Sequence, residues 1–199
     1  REIIAYEILH EGDLQLICGR TGDIFDHLNE QDSVTFTGSA STGQMLKSHP
    51  AITGNSIPFN MEADSLNCSI LGAQAKPGTP EFDLFIKGVA QEMTVKAGQK
   101  CTAIRRTIVP QQHVEAVTEA LGARLDKTLV GDPSVEGVRM GSLVGKDQVE
   151  DVWSAVHKLS EENEVIYGGQ REFDVVGADR DKGAFFPATL VYCDKPVAA

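Results

Sequence analysis

Strand-like and helix-like patterns alternate along the whole of this 199-residue chain, and that alternation is the strongest constraint on its fold. Short apolar or β-branched runs, bounded by glycine, proline and polar residues, predict strands. These runs are LQLICG (14–19), SVTFTG (33–38), SIPFNME (56–62), CTAIRRTIVP (101–110), EVIYGG (164–169) and PATLVYC (187–193). Apolar residues spaced three and four apart predict amphipathic helices at 22–30, 41–49, 80–98, 112–128 and 146–162. Such an order is typical of an α/β protein whose strands pair mostly in parallel.

A domain boundary is predicted near residues 62–67, where a strand gives way to the polar run ADSLN. The chain is therefore expected to contain a first domain at 1–62 and a second at 63–199. The segment 130–145 is rich in glycine and turn-forming residues, and it is predicted to be a connecting loop.

The charge balance and the cysteine spacing exclude several classes of function. The formal net charge is −11, which makes nucleic acid or an anionic membrane surface a poor electrostatic partner. No apolar run approaches the roughly 20 residues that cross a membrane. The four cysteines form no CxxC pair and the five histidines form no ligand motif, so no metal is expected. Unpaired cysteines fit a reducing cytoplasm, where we expect the protein to act.

Cys101 is the first candidate catalytic residue. It follows a predicted helix, with Gly98 three residues before it and Lys100 beside it. A thiolate is a strong nucleophile, and neighbouring cations such as Lys100 and Arg105 favour the charged thiol. The approach through residues 98–100 could turn backbone N–H groups toward a reacting oxygen. The alternative is a packing role, because free cysteine is among the most buried residue types, and the residues alone leave both interpretations open.

Two further candidates lie in the first part of the chain. Glu62 ends the largely apolar run SIPFNME, and a carboxylate in such a place can act as a general base. The alternative for Glu62 is a solvated strand end. Gly38 and Ser39 join a predicted strand to a helix, and the N–H groups at a helix N-terminus suit a phosphate. This last pattern is also ordinary capping chemistry, and it is neither a GxGxxG fingerprint nor a P-loop.

Taken in order, the motifs VTFTGSASTG (34–43), NMEADSLN (60–67) and AGQKCTAIRR (97–106) resemble those of the aldehyde dehydrogenase superfamily. The resemblance implies an α/β, aldehyde dehydrogenase-like fold. Residues 1–62 would be the C-terminal portion of an NAD(P)-binding, Rossmann-type domain, and residues 63–199 the N-terminal portion of the cysteine-bearing catalytic domain.

The same resemblance implies a role for each candidate residue. Cys101 would attack the aldehyde carbon to give a thiohemiacetal and then a thioester, with its own backbone N–H helping to hold the oxyanion. Glu62 would be the base for the water that hydrolyses the thioester. Gly38 and Ser39 would lie beside the pyrophosphate of the cofactor, which is expected to be NADP, with NAD as the alternative.

Longer stretches, such as SIPFNMEADSLNC (56–68) and EMTVKAGQKCTAIRRTIVP (92–110), resemble one branch of the family, the bifunctional proteins of phenylacetic acid degradation. That branch implies NADP-dependent oxidation of a CoA-linked semialdehyde, next to a hydratase-like part that opens an oxepin-CoA ring. The semialdehyde dehydrogenases of aerobic benzoyl-CoA breakdown are a second branch of similar sequence. Family members commonly associate, so the parent protein is expected to be a homo-oligomer with a small-molecule aldehyde substrate.

The resemblance also implies parts that this chain does not contain. The Asn that completes the oxyanion hole would precede Arg1, and the Glu-x-Phe-Gly-Pro segment that contacts the cofactor would follow Ala199. The 199-residue chain alone is therefore expected not to oxidise aldehydes. Two other interpretations stay open: a non-catalytic acidic α/β module, and a thiol acyltransferase or hydrolase that uses no nicotinamide, although no histidine is well placed for the latter.

Overall fold

A computed structural model of the chain describes residues 9–10 and 12–195. They form two compact units, the first ending at Asp64 and the second beginning at Ser65. Within these described residues, no helix is both long enough and apolar enough to cross a membrane.

The first unit is built on two parallel strands joined by two helices. Its elements in order are strand β1 (Val34–Gly38), helix α1 (Ala40–Lys47), helix α2 (Pro50–Gly54) and strand β2 (Phe59–Ala63). The two strands pair in parallel, and this arrangement confirms the strands predicted at 33–38 and 56–62 and the helix predicted at 41–49. Helix α2 was not predicted, because its five residues are too few to show a helical period.

Two N-terminal predictions for this unit need correction. The strand predicted at 14–19 is wrong, since these residues form no strand and Leu16 and Ile17 are 88% and 62% exposed. An apolar run becomes a buried strand only beside a partner strand, and none pairs with it in the described part of the chain. The helix predicted at 22–30 is a single 3-10 turn, Ile24–His27.

The core of the first unit is small. Phe25, Ile52 and Ile57 are buried, and Leu28, Val34, Leu46 and Phe59 pack against them. This core lies where the 3-10 turn, helix α2 and the beginnings of both strands meet, so it fixes the strands at one end. The carboxyl ends of β1 and β2 lie at the other end of the strands, away from this core.

The described residues of the second unit form three α-helices and six short strands. The strands are β3 (Cys68–Ile70), β4 (Arg106–Ile108), β5 (Leu129–Val130), β6 (Val138–Met140), β7 (Glu164–Tyr167) and β8 (Leu190–Tyr192). The helices are α3 (Pro80–Thr94), α4 (Val114–Leu125) and α5 (Lys146–Ser160). These three helices confirm the amphipathic helices predicted at 80–98, 112–128 and 146–162.

Helices α3 and α4 supply most of the second core. Their buried apolar side chains share one cluster with Leu71; the members from the two helices are Phe82, Ile86, Val89, Ala90, Val117, Leu121 and Leu125. Thr79 caps helix α3, because its side chain accepts a hydrogen bond from Phe82 N, and Pro80 occupies the first turn. Helix α3 is therefore firmly held, and it ends close to Cys101.

Strand pairing in the second unit differs from the expectation in two places. The segment 130–145 was predicted to be a loop, but it contains the parallel partners β5 and β6. These strands have only two and three residues, too few to show an alternating pattern. Strands β7 and β8 pair antiparallel, whereas β3 and β4 pair in parallel as expected. The mixed helix and strand content is that of an α/β protein.

Candidate active site

Glu62 lies at the carboxyl end of strand β2, inside the first unit. In the parallel register Glu62 faces Thr37, and Ala63 faces Gly38. The N–H of Asp64 donates to the carbonyl of Gly38 at 3.1 Å and extends the pairing beyond the strands. Three predicted residues, Gly38, Ser39 and Glu62, therefore lie at one edge of one sheet, the edge where α/β proteins place their ligands.

The Glu62 side chain is free to act at this edge. It is exposed, and among the described residues it makes no hydrogen bond or ion pair. Its backbone is held by the ladder to strand β1, so the carboxylate projects from a fixed position.

Ser39 is the N-cap of helix α1, and its hydroxyl is used for capping. The Oγ atom accepts a hydrogen bond from Thr42 N at 3.2 Å and donates to Thr42 Oγ1 at 2.9 Å. The N–H groups of Ala40 and Ser41 have no acceptor in the described part of the chain, and Ser39 is exposed. An exposed helix N-terminus with two free N–H groups fits the phosphate of a cofactor.

Two glycines leave room for close packing, Gly38 within strand β1 and Gly43 between helix α1 and the sheet. A Cβ on Gly38 would lie 2.6 Å from the ring of Phe36, and a Cβ on Gly43 would collide with the thioether of Met61. A side chain at position 38 would therefore have to displace the Phe36 ring. The small residues that mark the predicted cofactor motif also bring the helix onto strands β1 and β2.

Cys101 lies in the second unit, on the loop that follows helix α3, and it is exposed. Cys101 is therefore not part of the core of this unit, and its chemical role stays a prediction. Its backbone N–H has no hydrogen-bond acceptor among the described residues. A nucleophile and an unused N–H donor on the same residue are what addition to a carbonyl needs.

The loop before Cys101 has an unusual backbone. Lys96, Ala97 and Gly98 follow one another with φ angles of 54°, 52° and 74°, all in the left-handed region. For Lys96 and Ala97 this conformation costs about 1–2 kcal/mol each. Contacts elsewhere in the unit must stabilise it, and such strain is common where a fold presents a functional group.

The side chain of Gln99 supplies several of those contacts. Its Nε2 donates to the carbonyls of Lys96 at 2.9 Å and Ser142 at 3.2 Å. Its Oε1 accepts from Val144 N at 2.9 Å. One amide thus ties the left-handed turn to the loop 142–144, and it uses both its donor group and its acceptor.

Asn67 and Arg105 hold the other side of the loop. Asn67 Nδ2 donates to the carbonyl of Cys101, and Asn67 O accepts from Arg105 N at 2.9 Å. The Arg105 guanidinium donates to the carbonyls of Gly98 at 3.1 Å and Lys100 at 3.4 Å. The role of Asn67 was not predicted, although an amide side chain directly before a strand that pairs beside the cysteine loop could have indicated it.

Lys100 and Arg105, two of the three cations beside Cys101 (the third is Arg106), are engaged elsewhere. Lys100 Nζ lies 2.8 Å from Glu92 Oε1 on helix α3, and Arg105 binds backbone carbonyls. Both residues therefore hold the loop. Within residues 9–195, apart from residue 11, no group of His, Cys, Asp and Glu side chains could hold a metal ion.

Residues 2–197 match the profile of the aldehyde dehydrogenase family, a match that covers nearly the whole chain. The chain belongs to the aldehyde dehydrogenase family. It is 46% identical over 198 residues to the 3,4-dehydroadipyl-CoA semialdehyde dehydrogenase of Aromatoleum evansii. That match covers 100% of this chain and 38% of the relative, so the chain spans well under half of the relative's length.

Solved structures agree with the family assignment. The betaine aldehyde dehydrogenase of Staphylococcus aureus, solved with NAD+, superposes with a TM-score of 0.71 at 24% identity, over 82% of this chain and 31% of that one. An aldehyde dehydrogenase of Bacillus cereus, also solved with NAD+, gives 0.67 at 27% identity, over 80% and 30%. The predicted aldehyde dehydrogenase-like fold is confirmed.

Proposed function

We propose that the full-length protein containing this chain oxidises a CoA-linked semialdehyde to the carboxylic acid with a nicotinamide cofactor. The observation that carries the proposal is Cys101, an exposed thiol on a loop held by side-chain hydrogen bonds, whose backbone N–H has no acceptor among the residues that the structure describes. Support for the substrate class comes from the relative named as a CoA-semialdehyde dehydrogenase.

Cys101 begins the reaction in this proposal. Its thiolate adds to the aldehyde carbon, and the carbonyl oxygen becomes an oxyanion next to the Cys101 N–H, which donates to it. When bound, the nicotinamide supplies the hydride acceptor that converts the thiohemiacetal into a thioester. The Asn67 bond to the Cys101 carbonyl keeps the residue in place during both changes.

Glu62 is proposed as the base for the second half of the reaction. It takes a proton from the water that attacks the thioester carbon, the carbon–sulfur bond breaks, and the acid leaves. Its exposed carboxylate near the carboxyl end of β2 supports this role. Gly38 and Ser39 would hold the cofactor pyrophosphate through the N–H groups at the start of helix α1.

The finer assignment has two candidates. Sequence resemblance favours NADP and the semialdehyde of phenylacetate degradation, within a bifunctional protein. The name of the 46% identical relative favours a 3,4-dehydroadipyl-CoA semialdehyde instead. Steady-state kcat/KM of the full-length protein with both semialdehydes, each with NADP and with NAD, separates the four combinations, because the correct pair gives the highest value.

The decisive test compares Cys101→Ala with Cys68→Ala in the full-length protein. Both cysteines are exposed, so the two substitutions are matched in chemistry and exposure. We expect Cys101→Ala to lower turnover of the aldehyde by at least about 10³-fold and Cys68→Ala to leave it unchanged. Equal turnover in the two variants would refute the role of Cys101.

The same assay separates the other two interpretations. A thiol acyltransferase or hydrolase would form an acylated Cys101 from a thioester without nicotinamide, and a non-catalytic module would consume no aldehyde under any condition. A dehydrogenase needs nicotinamide for every turnover. Aldehyde consumption with and without cofactor is therefore measured beside the variants.

A further inference from the structure

The ion pair between Glu92 and Lys100 lies directly beside Cys101, and the reaction proposed above does not use it. Lys100 Nζ and Glu92 Oε1 are 2.8 Å apart, and both side chains are only 22% exposed. A half-buried pair at this distance is screened much less than a surface pair. It joins the last turn of helix α3 to the residue before the thiol, across the left-handed turn at 96–98.

Lys100 is fixed by its backbone as well as by its side chain. Its N–H donates to Gly98 O at 3.0 Å, and its carbonyl accepts from Ala103 N at 3.1 Å. The carbonyl also accepts from the Arg105 guanidinium at 3.4 Å. The residue is therefore held at three points, of which the ion pair is the one that reaches helix α3.

Peptide geometry carries this anchoring to Cys101. The Lys100 carbonyl and the Cys101 N–H belong to one planar peptide unit and point in opposite directions. Whatever fixes the carbonyl therefore also fixes the direction of the Cys101 N–H, which has no acceptor in the described ranges. Ala103, two residues further on, is 1% exposed and anchors the other side of the cysteine.

We propose that the Glu92–Lys100 ion pair is a positioning device that sets the orientation of the Cys101 thiol and of its backbone N–H. The inference rests on the proposed function of Cys101 as nucleophile. Glu92 and Lys100 are positioning residues here, because neither touches the reacting atoms. Because the Lys100 charge is paired with Glu92, we expect no direct electrostatic activation of the thiol by this lysine.

Lys100 is also the cation on which Glu92 depends. Glu92 Oε2 is buried and has no hydrogen-bond partner among the described residues. The negative charge of the carboxylate is therefore compensated at Oε1, by Lys100 Nζ. Removal of one member leaves the other charge poorly compensated, and this shifts the loop toward open conformations. The two single substitutions should therefore have similar effects.

The test uses Lys100→Met, Glu92→Gln and the charge-swapped double variant Glu92→Lys/Lys100→Glu in the full-length protein. Lys100→Arg keeps the charge, and Lys87→Met, on an exposed part of the same helix, is the matched control. The first readout is the alkylation rate of Cys101 by iodoacetamide, divided by that of the exposed Cys68 in the same sample. The second readout is kcat and KM for the aldehyde.

We expect each single substitution to lower the Cys101/Cys68 alkylation ratio several-fold. Turnover should fall about 10- to 100-fold while KM stays nearly constant, because a misdirected N–H donor weakens the transition state more than substrate binding. The charge swap and Lys100→Arg should recover most of the loss, and Lys87→Met should change neither readout.

Direct activation of the thiol by Lys100 makes the opposite prediction for one variant. Glu92→Gln would then release the lysine charge toward the thiol and raise the alkylation ratio. A raised or unchanged ratio in Glu92→Gln, or a charge swap that recovers nothing, overturns the positioning role. The alkylation ratio needs no turnover, so it decides this inference even if Cys101→Ala shows that the proposed oxidation is wrong.

Discussion

The structure holds Glu62 and Cys101, the two proposed catalytic residues, in different ways. Glu62 is the next-to-last residue of a strand whose backbone is paired along its length with β1, and Gly43 lets helix α1 pack closely on that sheet. Cys101 lies on a loop outside any ladder, fixed by the side chains of Asn67, Gln99, Arg105 and Lys100. A paired strand tolerates side-chain changes that keep its backbone, whereas the cysteine loop depends on individual polar groups.

The largest effect is expected for Glu62→Gln, which tests whether the paired strand tolerates a change of this side chain. Because its side chain is exposed and makes no hydrogen bond among the described residues, Glu62→Gln should leave the thermal unfolding of the protein unchanged. Steady-state turnover should fall about 10²- to 10⁴-fold, since general base catalysis of thioester hydrolysis is lost. Stopped-flow measurement should still show the first turnover of cofactor reduction.

Asp64→Asn is the control for Glu62→Gln. Asp64 is an exposed carboxylate two residues further along, with φ of 54°, a conformation that asparagine tolerates well. Its turnover should match the unsubstituted protein. A variant of Glu62 that loses the first turnover as well would show that this carboxylate acts before the thioester forms.

The next effect tests the dependence of the cysteine loop on one polar side chain. Gln99→Ala removes the bonds to Lys96 O, Ser142 O and Val144 N. Loop opening should become easier by about 1.5–4.5 kcal/mol, given net values of about 0.5–1.5 kcal/mol for each of the three bonds. Hydrogen exchange should accelerate at 96–101 and 142–144 and stay unchanged in strands β1 and β2. An equal acceleration in the strands would show that the cysteine loop does not depend on this side chain separately from the rest of the fold.

Gly43→Ala in the first unit should give a smaller effect, and it acts by overpacking where Gln99→Ala acts by removing hydrogen bonds. In Gly43→Ala the new methyl group meets the side chains of Met61 and Phe36, and overpacking of this sort costs about 1–3 kcal/mol. Gly54→Ala is the matched control, because no atom lies within 4 Å of its added Cβ. We expect a lower melting temperature only for Gly43→Ala, and equal melting temperatures would show that the helix can move off the sheet at little cost.

The smallest effect concerns pH and the second unit alone. Burial, helped by the hydrogen bond to Asp126 at 2.9 Å, raises the pKa of Tyr167 from 10.0 to about 12. The unfolded chain therefore loses this proton first, and the stability that Tyr167 contributes is complete below pH 10 and is lost as pH rises toward 12. Tyr167→Phe should flatten the fall in melting temperature across that window; an unchanged pH profile would exclude the contribution.

The predictions from sequence succeeded where patterns were long. Helices α3, α4 and α5 each show several turns of apolar spacing, and strands β1 and β2 are bounded by clear turn residues. They failed where elements were short or needed a partner, as at 14–19, which lacks a neighbouring strand in the described residues. Cys101, Glu62, Gly38 and Ser39 were found because their motifs occur in a recognisable order, and their chemical roles stay predictions.

The sequence by itself determined the α/β pattern, the family and the candidate residues, because these depend on residue type and spacing along the chain. Only the tertiary structure decided that Cys101 is exposed, that its N–H has no acceptor within the described part of the chain, and that Lys100 forms an ion pair with Glu92. Glu92, Gln99 and Asn67 act through side chains that reach groups 8, 43 and 34 residues away. Such contacts follow from the path of the folded chain, and no local pattern of residues encodes them.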